Sequence, residues 1–198
     1  MGLDMYLSKG KRIPKKSVRE MIKIDDLITN EENKEMEELY KDYLQDCGEY
    51  THWKSLVKEV VYWRKANAIH KWFVDNVQKG KDDCRYYEVT KEHLEELRDK
   101  CTEVLWVADI KYGKVSYGYS FKKVGNEFVK EEHLEDGYII ENAEEVAKIL
   151  PTSDGFFFGS TEYNQWYYED IKRTIAEINK VLKETDFENE YLVYRASW

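Results

Sequence analysis

Both ends of this chain alternate in the manner of a β-strand. In Leu3-Asp4-Met5-Tyr6-Leu7-Ser8 the residues Leu3, Met5 and Leu7 fall on one side, and a side-chain period of two gives such a segment a single buried face. The closing residues EYLVYRASW set Tyr191, Val193 and Arg195 against Leu192, Tyr194 and Ala196. Terminal strands with patterns this regular are expected to be neighbours in one sheet, so the chain must fold back to where it began. Only Pro14 and Pro151 interrupt 198 residues, and no Ser/Gly linker divides them. The expectation is one domain over 1–198, with 30–46 and 106–140 as insertions.

The interior reads as follows. From Asn30 to Asp46 the apolar residues Met36, Leu39, Tyr40, Tyr43 and Leu44 form a helical stripe on an otherwise Glu/Lys-rich segment. Residues 51–78 predict a longer helix, and 85–89 a short strand. Thr90 caps a helix to about Leu105 with Leu94, Leu97, Cys101 and Val104 inward. Tyr, Val and Phe in 106–140 predict a meandering β segment turning at Gly125-Asn126. Asn142 opens a short helix to Leu150, and Ser160 or Thr161 caps a long one to near Thr185 with Ile171, Ile175, Ile178 and Leu182 inward. Helices and strands do not alternate as βαβ units. The fold class is therefore α+β: a small, mainly antiparallel sheet holding both terminal strands, packed with long helices and carrying an inserted β segment.

A net charge of −9 argues against duplex nucleic acid, whose binding needs an excess of cations to neutralise phosphates. It argues against a membrane surface too, and no apolar run approaches a spanning helix. The start, MGLDMYLSKGKR, has no signal-peptide pattern. Three cysteines, Cys47, Cys84 and Cys101, without a CxxC pair suit free thiols in a reducing cytoplasm. No metal-ligand spacing and no cofactor motif is present.

Two segments carry candidate chemistry. YWRKANAIHKW, Tyr62 to Trp72, places Asn67 and His70 within the apolar stripe of the expected 51–78 helix. Buried polar groups must find partners, and two solutions stay open. Either the protein satisfies them itself, or Arg64, Asn67 and His70 line a pocket beside Trp63, offering a guanidinium fork, an amide, an imidazole and a flat ring to a phosphorylated, ring-bearing ligand. The second segment is PTSDGFFFGSTEY, where Phe157, Gly159, Ser160, Thr161 and Tyr163 surround the expected helix start. A helix N-terminus can hold an anion, although the same hydroxyls can simply cap the helix, and no Walker pattern is present. Tyr163 and Trp166 could stack on a base or pack on a neighbour. An enzyme would call on His70 as acid/base with Asp82 or Asp83 assisting.

The blocks MGLDMYL, EVVYWRKANAIHKWFV followed by DDC, LPTSDGFFFGSTEY and the terminal YRASW together resemble a family of small bacteriophage and bacterial proteins. The resemblance spans both ends and the middle and carries no catalytic residues across. It implies a phage-linked setting in the host cytoplasm, and by analogy the capture of a nucleotide signal used in host defence. The expected partner is thus a small phosphorylated or nucleotide-like ligand, held within one chain or between copies in a homo-oligomer. The competing readings are a nucleotide-directed hydrolase or transferase, and a protein-binding inhibitor using the acidic helix 30–46.

Overall fold

A computed structural model of the chain describes residues 2–30, 33–47 and 54–198. In chain order the elements are β1 (Asp4–Lys11), α1 (Val18–Asn30), α2 (Lys34–Leu39), β2 (Gln45–Asp46), β3 (Lys54–Ser55), β4 (Val57–Arg64), α3 (Asn67–Asn76), β5 (Tyr87–Val89), α4 (Lys91–Val107), β6 (Ile110–Val124), β7 (Glu127–Ile140), α5 (Ala143–Ile149), α6 (Gln165–Glu184) and β8 (Glu190–Ser197). The fold is α+β. Its main sheet runs β4-β1-β8-β5, antiparallel throughout. The terminal strands are neighbours, with Met5 opposite Ala196 on one side and Trp63 on the other.

The sheet is covered on both faces. Leu3, Met5, Leu7, Trp63, Leu192 and Tyr194 pack with residues of α3, α4 and α6. Tyr191 and Val193 face the other way, onto Met21, Ile24 and Ile28 of α1. β8 therefore feeds two cores by simple alternation. Full burial of one such side chain is worth about 1.5–3 kcal/mol, and it is this two-sided burial that fixes the register of β8.

Three expectations change. Residues 57–64 are a strand, not part of a 51–78 helix, which resolves into β4 and α3 (51–53 lie outside the described residues). The cause is a bulge: Leu7 pairs with Val61 and Ser8 with Glu59, leaving Val60 as an extra residue. That insertion breaks the period of two and imitates helical spacing, while the β-branched valines favour the strand. Segment 30–46 is not one helix either. It breaks into the six-residue α2, a 3₁₀ turn at Lys41–Tyr43 and β2, so no continuous acidic helix exists there; Met36, Tyr40, Tyr43 and Leu44 still pack on the α1 side. α6 starts at Gln165, beyond Ser160 and Thr161. Asn164 is its cap, accepting from the Trp166 N–H at 3.0 Å. The base of β7 holds this point extended, through the Ile139–Asn164 bridge and the Ile140 N–H on the Tyr163 carbonyl.

α1 was not anticipated. Its signals are Val18, Met21, Ile24 and Ile28 at helical spacing and a Ser17/Glu20 pair, in which Ser17 N–H donates to the Glu20 carboxylate at 2.9 Å and Glu20 N–H returns to the Ser17 hydroxyl. Thr90 caps α4 as expected, with Leu94, Leu97, Cys101 and Val104 buried, and burial pushes the Cys101 thiol up to about 12. β6 and β7 form their own two-stranded sheet. Gly125 takes φ +66 at the first position of its tight turn, where hairpin twist requires a positive φ. Asn142 staples the base of this hairpin, donating to the Val107 carbonyl and accepting from Asp109 N–H. Among the described residues no helix is long and apolar enough to cross a membrane.

Candidate functional site

Asn67 and His70 lie in the first turn of α3, buried, and both are satisfied by the protein. The Asn67 amide donates to the carbonyls of Phe158 (3.3 Å) and Ser160 (2.8 Å), and its oxygen accepts from Ser153 N–H (3.2 Å). One side chain thus pins both limbs of the loop between α5 and α6. His70 Nδ1 meets the Tyr194 hydroxyl at 2.8 Å and Nε2 meets Asp82 at 3.0 Å, while Phe158 presses edge-on to the ring. Asp82 also accepts from Trp198 Nε1. Burial pushes the Tyr194 phenol well up. Trp63 is spent likewise, its indole N–H donating to Thr174. The pocket of Trp63, Asn67 and His70 is therefore packed protein.

The cavity lies immediately outside. A cleft of about 850 Å³ runs between the β4–α3 junction, the loop, the start of α6 and one side of the hairpin. Of the residues singled out in the sequence, Arg64, Asn67, Phe157, Gly159 and Ser160 line it; Trp63, His70, Thr161 and Tyr163 do not. Tyr163 supports the loop instead, its hydroxyl accepting from Thr152 N–H. Trp166, the other residue that could stack on a base, lines the cleft too, and Lys65, Tyr117, Tyr119, Lys130, Phe156 and Asp170, which the sequence did not mark as a site, complete the wall. The rings of Tyr117, Tyr119, Phe156, Phe157 and Trp166 are all exposed; the Lys130 ammonium lies over the Tyr119 ring at 4.6 Å, Tyr117 leans on His133 and Phe156 on Phe157, while Trp166 has no ring or cation against it among the described residues.

The backbone is strained at this point. Lys65 has φ +59 and Phe157 has φ +70, a region where a side chain other than glycine costs about 1–2 kcal/mol. Leu3 ties the two together: its carbonyl accepts from Lys65 N–H (2.8 Å) and its N–H donates to the Phe157 carbonyl (3.3 Å). Gly159 fits against the Lys65 stem, since a Cβ there would lie 3.2 Å from Lys65 Cβ. Lys15, Lys79 and Cys84 share this region away from the cleft.

The charges lining the cleft are mixed, and most are engaged. Arg64 reaches Asp4 at 4.0 Å, Lys130 holds Glu132 at 3.2 Å, and Glu169 holds Lys172 at 3.4 Å. Glu162 accepts from the Asn164 amide. The Lys65 ammonium and the Asp170 carboxyl have no such partner among the described residues. Asp170 is half-buried on the flank of the α6 stripe Tyr167, Ile171 and Thr174. Burial pushes its carboxyl up to about 7 against the pull of Arg173, with Glu169 adding to the rise. No residue pattern in the sequence marks it, because Asp170 stands beside the apolar stripe of α6 and not on it.

Asp83 faces away from His70, accepting from the Tyr87 hydroxyl, and Cys84 carries φ +57 in the same turn. Among the described residues no group of His, Cys, Asp and Glu gathers in a way that could hold a metal ion. No family model matches the chain, and no curated protein or solved structure is similar to it.

Proposed function

We propose that the protein binds a small, phosphorylated, ring-bearing ligand in this cleft, a nucleotide or nucleotide-derived signal, and holds it without turning it over. The observation that carries the reading is the pairing of exposed aromatic rings, Trp166 above all, with an unpartnered ammonium, Lys65, on the wall of one cleft. A base can stack on Trp166, Tyr117 or Tyr119, an interaction worth about 1–3 kcal/mol per base. The anion falls to Lys65, supported by Arg64 and Lys130. The acids do not forbid this: Glu132, Glu162 and Glu169 are engaged with neighbours, and Asp170 keeps much of its proton near neutral pH. The resemblance to small phage proteins supports placing this capture in the cytoplasm of an infected cell, against a host defence signal.

The test is calorimetry of the purified chain against mononucleotides, cyclic nucleotides and dinucleotide pyrophosphates. Binding is expected for at least one class, with the ligand recovered unchanged after denaturation. Absence of heat across all three classes overturns the reading. A hydrolytic alternative has one observation in its favour: Asp170 is a carboxyl that retains a proton near neutral pH inside the cleft, as a general acid must. Product in the recovered ligand, lost in Asp170→Asn, would replace capture with turnover.

A further inference from the structure

The β6–β7 hairpin is built unlike the rest of the molecule. Most of the large hydrophobic side chains exposed among the described residues lie on it, including Phe121 and Phe128 at 62% and 70% exposure. Only its base is packed, through Val115 and Ile140. Among the described residues β6 pairs with no strand but β7, and β7 has only the isolated bridge to Asn164 beyond that. A free two-stranded hairpin is marginal in water and gains independent stability from a third strand. Exposed apolar side chains gathered in one place mark an interaction surface.

Its charges are sorted by strand. β6 carries Lys111, Lys114, Lys122 and Lys123 and no acid, whereas β7 carries Glu127, Glu131, Glu132, Glu135 and Asp136 against one lysine, Lys130. Pairing inside the hairpin explains part of this: Lys114 meets Asp136 at 2.6 Å, and Lys111 meets Glu141 just beyond β7 at 2.6 Å. It leaves the outer half unexplained, because Lys122, Lys123, Glu127 and Glu131 have no ion-pair partner among the described residues. Charges on an edge strand normally deter pairing. Here they deter selectively. Two β6 edges would oppose lysines to lysines and two β7 edges carboxylates to carboxylates, whereas β6 beside β7 places opposite charges on neighbouring strands.

We propose that the hairpin joins copies of this chain head to tail, the β6 edge of one copy against the β7 edge of the next. Such a contact is heterologous, so it closes into a ring or runs on as a chain and does not stop at a two-fold dimer. The occupant of each edge is a second copy, and the symmetric dimer is the arrangement that the charge pattern excludes.

The experiment is sedimentation velocity on the full chain over a concentration series at low salt, with two charge-reversed variants. Wild type is expected to pass twice the mass of one chain as concentration rises. Lys122→Glu/Lys123→Glu makes the outer half of the hairpin acidic on both strands, and Glu127→Lys/Glu131→Lys makes it basic on both, so each alone stays monomeric. Their equimolar mixture associates again, because each acidic edge then finds a basic one. These positions are exposed, and circular dichroism confirms that the variants keep the fold. A wild type that remains monomeric, variants that associate as it does, or a mixture that stays monomeric would each overturn the proposal.

Discussion

Lys65 and Asn67 are two residues apart, and their polar atoms have opposite fates. Asn67 spends its whole amide on the loop between α5 and α6, and next to it His70 is closed between Tyr194 and Asp82. Lys65 presents an unpartnered ammonium to the cleft, whose wall it shares with the exposed ring of Trp166. The interior side of this junction is a frame and the exterior side is a site. Unpaired buried polar groups are costly enough that a fold closes them internally; groups left open beside a cavity are the ones available to a ligand.

Removing the frame should have the largest effect. Asn67→Ala strands two carbonyls and an N–H of the loop, at about 1 kcal/mol each and about 2–3 kcal/mol in total. The melting temperature should fall by about 5–10 °C for a chain of this length, as read by thermal or urea unfolding. Nucleotide binding should fall with it, because the loop forms one wall of the cleft. A stability equal to wild type would mean that the loop holds itself and that frame and site are not separate.

Trp166→Ala should do the reverse. This ring is exposed at the start of α6, so stability should stay within about 0.5 kcal/mol. Loss of a stacking face should weaken nucleotide binding by about 1–3 kcal/mol, roughly 5- to 150-fold in calorimetry. Unchanged affinity would move the base to Tyr117 or Tyr119 and make the hairpin the recognition wall.

How far these regions could be read in the sequence follows the same division. The terminal strands were legible because alternation and burial agree residue by residue from Leu3 to Leu7 and along β8. β4 was not, since a single bulged residue, Val60, converts a period of two into an imitation of a helix. Asn67 and the loop were each legible as candidate segments, but not that the Asn67 amide would be spent on pinning the loop. Tyr119 and Lys130 of the hairpin and Asp170 of α6 come from elements far from Lys65 in the chain, and only the tertiary fold brings them to one cleft. The desolvation that shifts Asp170 is a property of that fold, with no local residue pattern to announce it.

The Asp170 carboxyl gives a smaller, pH-dependent contrast. An unfolded aspartate titrates near about 3.9, the folded one at about 7. Between those values the folded chain holds a proton that the unfolded chain has released, so Asp170 contributes a loss of stability as pH rises from 4 to 7. Asp170→Asn removes that slope. For a cyclic nucleotide, whose single charge is constant over this range, wild-type affinity should fall on the order of tenfold between pH 6 and pH 8 as Asp170 ionises. The variant should bind at the pH 6 level throughout. Matching pH profiles in variant and wild type would place the ligand's anion away from α6.

The smallest effect, and the sharpest separation of frame from site, belongs to Lys65→Gly. At φ +59 glycine relieves a conformational cost that lysine bears, set against glycine's greater freedom in the unfolded chain. The net should be a gain of about 0.5 kcal/mol or less in urea unfolding. The same change deletes the only unpartnered ammonium among the described residues of the cleft wall, so anionic ligands should bind several-fold more weakly while an uncharged nucleoside is unaffected. A residue that is better replaced for stability but needed for binding is retained for what it touches outside the protein. If Lys65→Gly instead destabilises the fold and leaves anion binding intact, Lys65 belongs to the frame through its packing on Gly2 and Gly159, and the boundary between the two regions must be drawn at Arg64 and Lys130.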